Sequence, residues 1–130
     1  MKIGIASDHR GYVLKTKLIK YLEKKYEVVD YGTDSDKEIV DYTKYGFILG
    51  EAVRDDEVAF GIAICGSGIG ISIACNKVKG VRCAKVDSIK DAKLTRKDND
   101  ANIMAISGTT KLYKAKDLVD AFLKTKFSNI

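Results

Sequence analysis

Residues 59–70 read Ala59-Phe-Gly-Ile-Ala-Ile-Cys65-Gly-Ser-Gly-Ile-Gly70. The first seven are almost uninterruptedly apolar, a pattern that belongs to a strand covered on both faces. Glycines then stand at 66, 68 and 70. They allow a tight turn and let another group approach the backbone closely. A helix opens out of this turn and runs to about Cys75. A buried strand that turns through glycine into a helix is a unit of a parallel α/β sheet, with this strand at the sheet centre.

The same alternation extends in both directions. Lys2 to Ser7 reads as the first strand, followed by a helix from Gly11 to Lys24 with Leu14, Leu18 and Leu22 on one face. Tyr26 to Asp30 is the second strand, and 32–39 is a polar, acidic loop expected to be exposed and mobile. Val40 to Arg54 is the second helix, burying Tyr45, Ile48, Leu49, Ala52 and Val53. Val81 to Val86 and Asn102 to Ile106 are the fourth and fifth strands. Between them runs a helix capped by Ser88 and ending near Lys97. The last helix, Tyr113 to Lys126, buries Ala115, Leu118, Val119, Phe122 and Leu123. The expected fold is α/β: a single doubly wound, Rossmann-like, three-layer domain over 1–130 with a five-stranded parallel sheet.

At 130 residues, with 45% apolar and 32% charged side chains, the chain can bury a core unaided and is not a disordered sequence. No apolar run nears the roughly 18 residues that span a bilayer. The N-terminus turns polar at Ser7, too soon for a signal peptide, which argues for a cytoplasmic protein. Cys65, Cys75 and Cys83 lack metal-finger spacing, so neither a disulfide framework nor a metal is expected. Net charge is +5 with 8% aromatics and no basic stripe between them. That favours a small anionic substrate or a solvated surface over nucleic acid.

In doubly wound sheets, ligands gather at the carboxyl ends of strands. The segments selected are Asp8-His9-Arg10, Cys65 to Gly70, Asp87-Ser88 and the stretch before the fifth strand. Cys65 sits where a helix N-terminus favours its thiolate, and free N–H groups there attract negative charge. Such a thiolate is a candidate proton-abstracting base beside its own oxyanion hole, to which Ser67 adds a hydroxyl. The alternative is that Cys65 only ends a buried strand while the glycines serve packing. The GxGxxG-like letters sit mid-chain without the acidic partner of a dinucleotide site, so no cofactor is expected. Arg10 suits a phosphate or carboxylate, Asp8 suits sugar hydroxyls or an N-cap, and His9 is the single histidine. Thr95 to Asn102 is dense in donors and acceptors, which also describes a solvated helix end. Asp41 caps the second helix, Tyr42 lines a pocket, and Cys75 and Cys83 are small core residues.

Asp8-His9-Arg10-Gly11, Asp41-Tyr42, Cys65-Gly-Ser-Gly-Ile-Gly-Ile-Ser72, Ala74 with Asn76-Lys77, and Asn99-Asp-Ala-Asn102 together resemble ribose-5-phosphate isomerase type B. That family includes galactose-6-phosphate isomerase. The resemblance implies a metal-free aldose–ketose isomerase working through a cis-enediolate, ribose 5-phosphate to ribulose 5-phosphate being the first reading. It makes Cys65 the base, with Ser67 and the N–H groups of Gly66, Gly68, Ile69 and Gly70 stabilising the enediolate. Asp8 and Asn99 bind sugar oxygens; His9 and Arg10 lie near the phosphate. It also implies homodimers or tetramers with sites shared between subunits.

Three departures accompany the resemblance. Asp98 stands where the family carries a ring-opening histidine, and a carboxylate of pKa about 3.9 suits that task less well than an imidazole of about 6.5. Thr109 stands where an arginine is common. No C-terminal arginine occurs before Ile130, leaving Lys111, Lys114, Lys124 and Lys126 as substitutes. These departures keep three alternatives open: the cysteine-bearing subunit of a heteromeric galactose-6-phosphate isomerase, an isomerase of another, non-phosphorylated sugar, or a non-catalytic sugar binder.

Overall fold

The computed structural model describes residues 1–128. Asn129 and Ile130, the end of the expected domain, lie outside the described residues. Five strands and five helices alternate: β1 (Lys2–Ser7), α1 (Tyr12–Leu22), β2 (Glu27–Asp30), α2 (Tyr42–Arg54), β3 (Phe60–Cys65), α3 (Ile69–Asn76), β4 (Cys83–Lys85), α4 (Ile89–Lys97), β5 (Ile103–Ser107) and α5 (Leu112–Lys124). All strand pairs are parallel, in the order β2-β1-β3-β5-β4. β3 is central, as its apolar run requires. The expected doubly wound three-layer α/β fold is the one observed.

The sheet divides its residues by size. Ile3, Ile5, Ile62, Ile64, Met104 and Ile106 project into the core shared with α1, α4 and α5. Ala6, Ala63, Cys65, Ile103 and Ala105 face the core of α2 and α3. Strand alternation sends neighbours to opposite faces, so one run supplies a bulky face and a shallow one. α2 and α3 therefore sit close to the sheet. No helix among the described residues is long and apolar enough to cross a membrane.

β1 leads outward to β2, and the chain then returns through α2 to β3 on the other side of β1. The strand order switches between β1 and β3, which opens a crevice above their carboxyl ends. Register fixes the geometry there: Ser7 lies beside Ile64, and Cys65 beside Ser107.

Three expectations are corrected. β4 spans only Cys83–Lys85, not 81–86. The N–H groups of Arg82 and Cys83 donate to the side chains of Asn102 and Asn76, 2.8 Å in each case, so asparagine oxygens replace the ladder at its start. The 32–39 loop is exposed only from Asp34 onward. Gly32 and Thr33 are buried and prolong the sheet, with Ser7 N–H donating to Gly32 O (2.7 Å) and Thr33 N–H to Ser7 O (2.8 Å). α2 begins at Tyr42 because Asp41 caps it, its Oδ1 accepting from Thr43 N–H at 2.9 Å.

Candidate active site

A cleft of about 760 Å³ occupies the switch point, lined by Asp8, His9, Arg10, Val40, Tyr42, Cys65, Gly66, Ser67, Gly70, Gly108 and Thr109. It joins the two segments that the sequence marks most strongly, the Asp-His-Arg cluster after β1 and the glycine turn after β3.

The turn after β1 is built around Asp8. Its Oδ1 accepts from the N–H groups of Arg10 (2.9 Å) and Gly11 (3.1 Å) ahead of α1, and Gly11 N–H also donates to Asp8 O at 3.2 Å. Asp8 is therefore both cap and cleft residue, only 4% exposed. His9 Nδ1 accepts from Val40 N–H at 3.2 Å, which assigns the ring proton of the neutral imidazole to Nε2 and ties the loop before α2 to the site.

The turn after β3 requires glycine. Gly68 has φ +80°, the left-handed region where a Cβ is strained. This conformation turns its N–H back onto Cys65 Sγ, 3.2 Å away. Cys65 is 3% exposed, packs in the core of α2 and α3, and is one of the residues lining the cleft. A Cβ on Gly66 would stand 2.7 Å from Arg10 Cδ, so the guanidinium arm lies across bare backbone. The Tyr42 ring uses Gly70 in the same way. Ser67 Oγ accepts from Ile69 N–H at 3.1 Å, which leaves the hydroxyl proton to donate outward.

The other cysteines are unsuited to this chemistry. Cys75 is fully buried, and a hydrogen bond with it, reinforced by burial, pushes the Cys83 thiol up. Cys83 keeps its proton.

Not every expected residue reaches the cleft. Gly68 shapes it through Cys65 without lining it, and Ile69 is 54% exposed on the outer side of α3. Asp98 caps the end of α4. Asn99 lines a separate cleft of about 320 Å³ with Asn76, Arg82 and Thr95. The expectation that the stretch before the fifth strand lies with the other segments is corrected here. In a parallel sheet a residue preceding a strand sits at its amino end, and the crevice is at the carboxyl ends. Asp87 and Ser88 are at a carboxyl end, but β4 is an edge strand. Asp87 pairs there with Lys85 and Ser88 caps α4. Lys111, Lys114, Lys124 and Lys126 lie outside the cleft. Val40, Gly108 and Thr109 are cleft residues that were not assigned to the site from sequence. Thr109 carried a signal, since it stands where the family carries arginine.

The family model for ribose/galactose isomerase matches residues 3–130. The chain belongs to that family. It is an isomerase. It is 41% identical over 128 residues to ribose-5-phosphate isomerase B of Escherichia coli, covering 97% of this chain and 85% of the relative. Among solved structures, ribose-5-phosphate isomerase B of Clostridium thermocellum superposes with a TM-score of 0.97 at 46% identity, covering 100% of this chain and 88% of the other. The Mycoplasma genitalium enzyme, solved with ribulose 5-phosphate bound, gives a TM-score of 0.93 at 37% identity, covering 99% and 87%.

Proposed function

We propose that this isomerase interconverts ribose 5-phosphate and ribulose 5-phosphate through a cis-enediolate, with Cys65 as the base. The observation that carries this reading is Cys65, its sulfur held by Gly68 N–H and its residue lining a cleft together with Asp8 and Ser67. The thiolate takes the proton from C2 of the open-chain aldose. The C–H electron pair becomes the C1=C2 double bond, and the carbonyl oxygen becomes an oxyanion. Ser67 O–H and the N–H groups of Ser67 and Gly70 meet that charge, where preorganised donors are most effective. The sulfur then returns its proton to C1 and is a thiolate again, the proton of the C2 hydroxyl passes to the C1 oxyanion, and the ketose forms with its carbonyl at C2 and a hydroxyl at C1. Asp8 accepts from a sugar hydroxyl, and Arg10, with His9 beside it, meets the phosphate.

The working enzyme on this reading is a homodimer in the cytoplasm. Asp98 and Asn99 lie too far round the sheet to serve their own cleft, so a second copy supplies them for ring opening and for a sugar oxygen. Ile69 and Ile73, one turn apart on α3 and 54% and 56% exposed, offer an apolar surface beside the glycine turn for that contact.

Replacing Cys65→Ala tests the reading. Turnover of ribose 5-phosphate is expected to fall by at least ~100-fold, as loss of a general base does, with circular dichroism unchanged. Wild-type turnover in that variant would remove Cys65 from the mechanism.

A further inference from the structure

Ser107 closes β5 directly beside Cys65, and the chemistry above gives it no task. Its hydroxyl is fully committed. Oγ donates to Gly66 O at 2.7 Å. The same oxygen accepts from Thr109 N–H at 3.1 Å and lies 2.7 Å from Thr109 Oγ1. A serine hydroxyl has one proton and two lone pairs. The proton is on Gly66 O, so the contact between hydroxyls has Thr109 as donor. Both lone pairs are then filled, and the rotor has a single orientation.

Gly66 O belongs to the peptide that joins Gly66 to Ser67. A trans peptide is planar, with its C=O and N–H pointing in opposite directions. Holding the carbonyl on β5 therefore turns the Ser67 N–H away from β5, toward the β1 side. That is the side from which Arg10, itself a cleft residue, crosses Gly66. A glycine at 66 leaves this peptide unusually free to rotate. Something outside the turn has to hold it, and Gly108 N–H, donating to Cys65 O at 2.8 Å, anchors only the preceding peptide.

We infer that Ser107, with Thr109 behind it, is a positioning residue that fixes the Gly66–Ser67 peptide so that the Ser67 N–H serves the enediolate. The inference rests on the isomerase reading above. A donor that must reorient during the reaction stabilises developing charge less than one already aimed. The effect therefore falls on the transition state and not on ground-state binding.

The test is steady-state kinetics on ribose 5-phosphate with Ser107→Ala, Ser107→Cys and Ser107→Thr. Alanine and cysteine, the latter nearly isosteric but a weak donor, should each lower kcat by about 10-fold with KM within about twofold of wild type. Threonine keeps the hydroxyl and should restore kcat to within about threefold. Ser107→Cys keeps the question open to measurement if the alanine variant folds poorly. Unchanged kcat in both, a loss confined to KM, or an equal loss in the threonine variant would each overturn the inference. Failure of the parent reading looks different: Cys65→Ala would then retain turnover whatever happens at Ser107. An inactive Cys65→Ala beside fully active Ser107 variants sinks only the positioning role.

Discussion

Lys15 carries its ammonium into the interior with a side chain that is 0% exposed. Nζ is 2.6 Å from Asp30 Oδ1, and the same oxygen accepts from Gly32 N–H at 2.9 Å. Gly32 O in turn receives the N–H of Ser7, the residue before Asp8. One ion pair, buried at Lys15 and partly exposed at Asp30, thus steadies the backbone from which the cleft's carboxylate projects. Removing one partner of a buried pair leaves the other charge uncompensated, which costs far more than an exposed bridge contributes. Asp30→Asn is expected to lower unfolding free energy by about 1–2 kcal/mol in urea titration, less than for a fully buried pair because water reaches Asp30. Adding Lys15→Met should recover much of that loss, because no buried charge then remains. A double variant as unstable as Asp30→Asn alone would refute the account. The leucines of α1 revealed its buried face from sequence, yet Lys15 sits on that face too. A lysine in a helix is usually solvated, and only the placement of Asp30 at the end of β2 explains this one.

At the level of elements, helix and strand identities followed from periodicity, while their ends followed from individual hydrogen bonds. β4 shortened because Asn76 and Asn102 compete for its donors, and α2 started late because Asp41 caps it. The junction of α1 with α5 carries a consequence for alkaline stability. Tyr21 O–H donates to Asp120 Oδ2, and Lys116 Nζ lies 4.9 Å from the Tyr21 ring centroid. The hydrogen bond to Asp120, aided by burial and the carboxylate's charge, pushes the Tyr21 phenol up from 10.0 to about 12. A group whose folded pKa exceeds its unfolded one stabilises the fold fully below the unfolded value and loses that effect as pH rises. Thermal melts should therefore show Tm falling between pH 10 and about 12. Tyr21→Phe should flatten that part of the profile, once the ionisation of other tyrosines is subtracted. An identical profile in the variant would count against the junction.

For the whole molecule, the proposed shared site turns on where Asp98 and Asn99 lie. Asp98 and Asn99 follow α4 at the amino end of β5, whereas Cys65 and Ser107 stand at carboxyl ends. A shared site needs a contact beside the glycine turn, and Ile73 is exposed there. Ile73→Glu should leave the monomer folded, since more than half of the residue is exposed within one chain, but on the proposed dimer halve the mass in sedimentation equilibrium. Most turnover should go with it. A monomeric variant with full activity would mean that one chain completes its own site.

The sequence by itself determined the sheet, the centrality of β3 and the glycine turn that follows Cys65. Each of these depends on local pattern: apolar runs, helical spacing, and φ values that only glycine adopts readily. It also singled out Asp8, His9, Arg10, Tyr42, Cys65 and Ser67, because strand ends are legible in one dimension. Tertiary structure alone decided that Val40 and Thr109 join them, that Asn99 does not, and that Lys15 is buried. Strand order brings β1, β3 and β5 together across stretches of chain far apart in sequence. No local preference encodes which end of the sheet a loop will occupy once that order is set.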